Sequence, residues 1–328
     1  MIIKSIKLVN FRNHHEYFLD CNQETTLILG ENGFGKTSVL EAIYILTQGK
    51  SFRATDKDII KRDTDYYRIE LEYCNGEINT ATYDRKNKNY IINGQKSKRL
   101  PKKNKYPVIL FLPSDLNLIS HSPSRRRDYF DRIFSEFNEN YHQALLKYNK
   151  VLKQRNEVLK KDIIPKELIF SWNLLLAKYG TELFDYRNQF IQEINNYYSD
   201  TYYSITKIKD EIKIHYKTEV SSPKAESYLK ELEQNFEKDS YLGYTSYGVH
   251  RDDYVFYFNH KIADGSASRG ESRSMILALK FIEAKLIEQK NNLKPIILLD
   301  DVFSELDEMH RKCLVKNFKD NQIILTSV

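Results

Sequence analysis

The chain of 328 residues carries 41% hydrophobic and 29% charged side chains, which is enough to bury a sizeable core and too apolar for global disorder. A formal charge of +6 tilts the surface toward anionic partners without by itself marking a nucleic-acid binder. The cysteines Cys21, Cys74 and Cys313 form no C-x-x-C pair, which excludes the common zinc and dithiol motifs, and no apolar run approaches the roughly 18 residues of a membrane span.

A charge-broken N-terminus, Met1-Ile2-Ile3-Lys4-Ser5-Ile6-Lys7, does not read as a signal peptide, so a reducing cytoplasmic setting is expected. "IIKSIKLVNF" alternates as a half-buried strand, and "TTLILG" reads as a short buried strand ending in glycine. "TSVLEAIYIL" then places apolar residues at helical spacing. Residues 66–95 alternate and carry C-N-G and N-G turn signals, the pattern of an antiparallel sheet. The basic run 96–105 reads first as a solvated loop, and "YPVILFLPSDL" as a buried strand stopped by Pro113. Helical periodicity dominates from Ser122 to about Glu237, with no long heptad run for a coiled-coil arm. "YVFYFN" restores strand character, followed by a helix over 271–290, the strand "PIILLDD", another helix and the strand "QIILTS". The expectation is an α/β fold, with an ATPase core in two sequence pieces (1–112 and 241–328) and an inserted, mostly helical lobe at 113–240.

Between the second strand and its helix, "GENGFGKT" matches G-x-x-x-x-G-K-[ST] in the required strand-to-helix context. Backbone N–H groups of such a loop turn inward around phosphates, and the helix N-terminus adds partial positive charge. Gly30, Asn32, Gly33, Gly35, Lys36, Thr37 and Ser38 are therefore candidate nucleotide-binding residues. Lys36 reaches the β- and γ-phosphates and Thr37 offers its hydroxyl to Mg²⁺. In "PIILLDDVFSELD" an apolar strand runs into paired acids, with Asp300 as the metal carboxylate and Asp301 as the group that orients or deprotonates the attacking water. Asp301 and Lys36 are thus the catalytic candidates, and Thr37 and Asp300 the metal candidates, for ATP and Mg²⁺. "HRDD" at 250–253 is not a kinase loop, because the asparagine such a loop needs would fall at Tyr257.

"SASRGESRSM" upstream of the paired acids is similar to the signature motif of ABC-type ATPases, and "SELD" to their D-loop. With "NFRNH", "EAIYILTQGKSFR", "SDLNLISHSPSRRRDYFD", "YNKVLKQRNEVLK" and "GVHRDD" in the same order, the chain resembles the RecF family, bacterial recombination-mediator ATPases related to SMC heads. That resemblance implies an ABC-type, SMC-head-like ATPase core with a helical second lobe. It also implies weak DNA-dependent ATP hydrolysis, an ATP-dependent homodimer, binding of double-stranded or gapped DNA, and a role in repair with RecR and RecO in placing RecA. On the same ground Arg12 reaches the nucleotide phosphates, Ser268 and Gly270 clamp the γ-phosphate of the other copy's nucleotide, and Arg273 is the signature arginine. Ser114 and Asp115 occupy a Q-loop-like turn that senses the metal or γ-phosphate. Two departures stand out: Arg269 and Glu271 replace the usual signature glutamines, and the sequence stops at Val328, short of the family's expected length.

DNA contact requires cations that neutralise phosphates. The candidates are Arg125 with Arg126 and Arg127, the set Lys147, Lys150, Lys153 and Arg155, and the 96–105 run; solvated helix faces are the plain alternative. Other readings left open are another SMC-like DNA-sensing or defence ATPase, a transporter-type nucleotide-binding subunit, and an adaptor with a dead site.

Overall fold

The computed structural model describes residues 2–31, 33–220, 222 and 224–327. Strands β1 (Ile3–Phe11) and β2 (His14–Asp20) form a hairpin, and β3 (Thr25–Leu29) runs into the glycine loop and helix α1 (Lys36–Gln48). A one-turn helix α2 (Asp56–Ile59) precedes β4 (Tyr67–Tyr73), β5 (Ile78–Tyr83), β6 (Lys88–Ile92), β7 (Gln95–Ser97) and β8 (Val108–Phe111). Next come α3 (Pro123–Phe137), α4 (Glu139–Leu159), α5 (Lys166–Thr206), β9 (Ile212–Lys217), α6 (Ala225–Gln234) and α7 (Phe236–Leu242). The chain ends through β10 (Asp253–Phe258), β11 (Lys261–Ile262), the turn-like α8 (Ala263–Ser266), α9 (Arg269–Asn291), β12 (Ile296–Leu299), α10 (Val302–Glu305), α11 (Glu308–Asn317) and β13 (Ile323–Ser327).

Two compact units result, Met1–Asp115 with Glu283–Val328, and Leu116–Ile282. The first holds an antiparallel sheet ordered β2-β1-β4-β5-β6-β7 and a parallel sheet ordered β3-β13-β12-β8. Helix α1 packs against strands of both, and its side chains from Ser38 to Thr47 are all buried, as expected of a helix apolar on every face. The N-G signal closes β6 onto β7 with Asn93 and Gly94 both at positive φ, the two-residue hairpin turn that this dipeptide favours. Gln322 pins the two sheets at one end: its amide accepts from Ile3 N–H (2.8 Å) and donates to the Ile3 and Asn22 carbonyls.

Strand β3 departs from expectation. It lies at the edge of the parallel sheet, so Leu27 and Leu29 are 50% and 65% exposed rather than buried. Its apolar run resembles that of the central β12, and a single strand's composition does not encode edge or centre.

The second unit is mostly helical, but β9 interrupts the helix expected up to Glu237. "IKIHYK" buries Ile212, Ile214 and Tyr216 and exposes the residues between, and it pairs antiparallel with β10. This pairing draws residues 241–282, β10 and most of α9 included, into the helical unit, so the boundary expected near residue 240 falls inside it.

"GVHRDD" is the keystone of this unit. The Val249 carbonyl and the Asp252 carboxylate both receive Arg187 Nη1 (2.7 and 2.9 Å), and Tyr216 also donates to Asp252. Asp253 takes a two-pronged contact from Arg126 (2.7 and 2.8 Å), and the Asp252 carbonyl accepts from Arg127 (2.8 Å). His250 sits between the Tyr148 hydroxyl and the Thr245 carbonyl, and burial pushes its pKa down to about 4. Buried ions of this kind persist only when paired and hydrogen-bonded.

Arg155 corrects the sequence reading. Tyr141, Ala144, Tyr148, Val151, Arg155 and Val158 share the buried face of α4, and Arg155 is fully enclosed. Its guanidinium donates to Asn173 (2.8 Å), Asp239 (2.7 Å) and Thr245 (2.7 Å), so it is a structural cation and cannot meet DNA. Arg155→Ala strands Asp239 as a buried carboxylate without its cation and is expected to cost about 3–5 kcal/mol. Urea unfolding followed by helix circular dichroism measures this; a loss below about 1 kcal/mol would return Arg155 to the surface set.

Candidate nucleotide site

Gly33 and Gly35 take φ of 90° and 85°, the left-handed region that glycine holds without steric cost. At Gly35 a close approach adds a second reason: a Cβ there would land on Nε2 of His14, whose ring nitrogen lies 3.1 Å from the Gly35 carbonyl. Asn13 Nδ2 donates to the Gly33 carbonyl at 2.9 Å. The β1–β2 turn therefore braces the loop through two adjacent side chains. Lys36 is 6% exposed, and its ammonium donates to the carbonyls of Gly30 and Glu31, inside the curve of the loop. Ser38 is buried in the first turn of α1, and Asn32 lies outside the described residues.

β12 is central in the parallel sheet and buried along its length, and it delivers Asp300 at its C-terminal end. The Thr37 hydroxyl donates to Asp300 Oδ1 at 2.8 Å, and the Thr326 hydroxyl from β13 donates to the same oxygen at 3.0 Å. Burial pushes the Asp300 carboxyl up from its ordinary range; the two hydroxyls oppose this, neighbouring Asp301 adds to it, and Arg53 opposes it. Asp301 is held at φ 50° with its N–H donating to Thr326 Oγ1 (2.9 Å). Its Oδ1 is buried and has no hydrogen-bond partner, an unmet acceptor on a residue that lines the pocket.

Arg12 stands at φ 55° in the β1–β2 turn, where its guanidinium makes a two-pronged contact with Glu41 of α1 (2.9 and 2.7 Å). Arg53 reaches the same carboxylate (3.1 and 3.0 Å), and Ser51 donates to it at 2.6 Å. Although burial alone would raise the Glu41 carboxyl, these donors hold it below its usual range. Glu41 thus fixes two arginines beside the loop. Glu41, Arg53, Asn13 and His14 were not singled out from sequence. The available signal was a lone carboxylate in the apolar run "VLEAIYIL", since a buried charge demands cationic partners.

Arg12, Gly33, Gly35, Lys36, Thr37, Ser38, Arg53 and Asp301 line one open pocket of about 420 Å³. Thr37 and Asp300 offer adjacent hard oxygen donors, and Asp301 an unused one, a donor set that fits magnesium completed by water and phosphate oxygens. Asp115 accepts from the Leu112 N–H (3.1 Å) and closes the turn after β8.

Ser268 and Gly270 belong to the other unit, exposed at the start of α9. Ser268 and Glu271 form a reciprocal cap: the Glu271 carboxylate accepts from the Ser268 N–H (2.6 Å) and the Ser268 hydroxyl from the Glu271 N–H (3.3 Å). Glu271 is therefore used within its own helix. Of the basic candidates, Arg125, Lys147, Lys150 and Lys153 are exposed, Lys147 lying over the Tyr179 ring. Arg126 is committed to Asp253, and the basic residues of the 96–105 run are all exposed.

A glycine loop entering a buried helix and paired acids at the end of a central parallel strand define a P-loop ATPase fold of the ABC and SMC-head class. The family model described as RecF/RecN/SMC N terminal domain matches residues 2–328. The DNA replication and repair protein RecF of Clostridioides difficile (strain 630) is 33% identical, over 100% of this chain and 91% of its own length. Its counterpart in Clostridium perfringens (strain SM101) is 34% identical, over 99% and 92%. A solved structure of the recombination mediator protein RecF with ATP, in the RecFOR pathway, superposes with a TM-score of 0.88 at 30% identity, covering 100% of this chain and 92% of that one. The chain belongs to the RecF family of DNA replication and repair proteins.

Asp300 is raised above its unfolded pKa, so without nucleotide its ionised form opposes folding, and stability rises as pH falls through the raised value toward the ordinary carboxylate range. Asp300→Asn keeps an acceptor for both threonines. It is expected to stabilise the nucleotide-free protein by about 0.5–2 kcal/mol and flatten that pH dependence while lowering nucleotide affinity. Thermal unfolding across pH checks it; a destabilised, pH-sensitive variant would contradict the assignment.

Proposed function

We propose that the chain is an ATP-dependent DNA clamp that acts in repair of replication gaps. ATP seats on the Gly30–Ser38 loop, with Lys36 leaving its carbonyl partners for the β- and γ-phosphates and Arg12 and Arg53 completing the cationic wall. Thr37 and Asp300 would hold magnesium, which when bound neutralises charge between the β- and γ-phosphates. Asp301 accepts a hydrogen bond from the attacking water through its unused oxygen, orienting it and taking its proton. The Ser268–Gly270 segment of a second copy closes the site over the γ-phosphate, so ATP joins two copies and slow hydrolysis parts them. Duplex or gapped DNA lies along exposed cations that include Arg125, Lys147, Lys150 and Lys153. RecR and RecO are the partners in placing RecA, and DNA stimulates turnover.

The observation that carries this reading is the bond between Thr37 and Asp300, which joins the two halves of a nucleotide site from opposite ends of the chain. Lys36→Ala should remain monomeric in ATP, and Asp301→Asn should bind ATP yet persist as a dimer. Light scattering during chromatography measures both. ATP-driven dimers of the lysine variant, or fast turnover by Asp301→Asn, would remove the composite site.

The lysines of α4 carry a separate expectation. Lys150 and Lys153 are exposed and, among the described residues, have no carboxylate within ion-pair distance. Replacing Lys147, Lys150 and Lys153 by alanine should flatten the salt dependence of duplex affinity by about one unit of log–log slope for each lysine that meets a phosphate. An unchanged slope in anisotropy titrations would place the duplex elsewhere.

A further inference from the structure

Arg12, Asn13 and His14 are consecutive, and all three side chains reach the nucleotide loop or the helix that follows it. The turn that carries them is tied down from behind. The Arg12 N–H donates to the Ile59 carbonyl (2.8 Å), the Lys61 N–H to the Asn10 carbonyl (2.9 Å) and the Lys61 ammonium to the Asn13 carbonyl (2.8 Å). Phe11 beside them is fully buried. Side chains on so fixed a backbone impose a geometry on their neighbour rather than follow it.

What Asn13 and His14 grip is backbone. Asn13 Nδ2 donates to the Gly33 carbonyl, and His14 Nε2 meets the Gly35 carbonyl. A carbonyl only accepts, so the proton of that second bond sits on Nε2. The His14 ring is held in place by Tyr17, with centroids 4.7 Å apart. The described peptide bonds are all trans, and a trans peptide points its N–H away from its C=O. Drawing the Gly33 and Gly35 carbonyls toward the β1–β2 turn therefore swings the Phe34 and Lys36 N–H groups the other way. The Phe34 N–H makes a long contact (3.4 Å) with the Glu31 carbonyl, which also accepts from the Lys36 ammonium (3.2 Å), so it faces the Lys36 side of the loop. Lys36 begins α1, where a helix leaves its N–H groups without acceptors of its own. The loop's carbonyls are thus divided: those of Gly30 and Glu31 take the lysine, and those of Gly33 and Gly35 take the turn.

We propose that Asn13 and His14 are positioning residues for the nucleotide: they hold two peptides of the loop so that the Phe34 and Lys36 N–H groups face the phosphates before these arrive. They act through the loop backbone. A loop whose peptides turn freely is competent for only part of the time, and its apparent affinity falls by that fraction. The proposal rests on the reading of this loop as the seat of ATP and adds what keeps the seat in shape when it is empty. Both ATP and ADP carry the phosphates that such a nest cradles, so the two nucleotides gain alike.

The test uses the full chain, titrated with ATP and with ADP in a calorimeter, beside steady-state ATP turnover. His14→Ala and Asn13→Ala should each weaken both nucleotides about 3- to 10-fold, the worth of one backbone brace, and kcat should move less than kcat/KM. His14→Gln, whose amide nitrogen takes the place of Nε2, should return to within about twofold of the wild type. The unfolding midpoint of the nucleotide-free variants should stay within about 4 °C of the wild type, which a merely structural role would not allow. The proposal is overturned if His14→Ala binds both nucleotides as the wild type does, if His14→Gln loses as much as His14→Ala, or if ATP affinity falls while ADP affinity is kept. Should His14→Ala not fold, Asn13→Ala, an exposed position on the same turn, decides by the same readings. A wild type that binds neither nucleotide defeats the ATP reading itself, whereas a binding wild type with unaffected variants defeats this proposal alone.

Discussion

The hydrogen bond from Thr37 to Asp300 organises the nucleotide unit, because it joins residues 263 positions apart in the chain. Thr37 lies in the first turn of α1, and Asp300 directly follows a central strand of the parallel sheet. For the two to meet, β3 must pair with β13, and β13 with β12, in the observed parallel register. Thr326 from β13 donates to the same carboxylate oxygen and accepts from the N–H of Asp301, so three elements converge on one acid. The sheet order is therefore part of the chemistry. A slip of one residue in β13 would carry Thr326 to the opposite face of the sheet and leave Asp300 with a single donor.

Around that bond the protein concentrates groups that are costly to hold without a ligand. Lys36 is turned back onto loop carbonyls, Asp301 keeps an unmatched buried oxygen, and Asp300 and Asp301 repel one another. Glu41 shows the contrasting strategy: five donors from Arg12, Ser51 and Arg53 satisfy it fully, and its role is to fix the two arginines. The site thus pairs a rigid cationic wall with an under-satisfied acidic one. A polyphosphate with a divalent cation matches both, and such differential satisfaction is how a site favours its ligand-bound state.

Much of this was readable from sequence where the signal is local. The glycine loop and the apolar strand ending in two acids each occupy fewer than about fifteen residues, and their geometry follows from spacing. What failed was whatever depends on distant context. Leu27 and Leu29 are exposed because β3 is an edge, which its own residues do not announce. β9 is six residues long with charges on its outward side, so its alternation is easily lost beside long helices. Arg155 neighbours lysines in sequence but shares the helical phase of the core: the residues 4, 7, 11 and 14 positions before it are Val151, Tyr148, Ala144 and Tyr141, all buried.

The start of α9 shows how one acidic residue shapes a helix end. Glu271 caps its own helix by taking the Ser268 N–H, one of the donors that a helix N-terminus would otherwise present to an incoming phosphate. A carboxylate already at that position offsets part of the positive end of the helix dipole, so in the proposed dimer a γ-phosphate from a second copy would compete with it. Ser268 and Gly270 stay exposed, and the serine hydroxyl, though it accepts from the Glu271 N–H, keeps its proton to donate. In the proposed dimer, closure then means exchanging an internal anion for an external one at the same helix end. The difference between the two would set how firmly ATP holds the proposed dimer together. In the proposed clamp such an exchange would weaken closure without abolishing it and would ease release, because the departing phosphate would leave behind a helix end that already has its own cap.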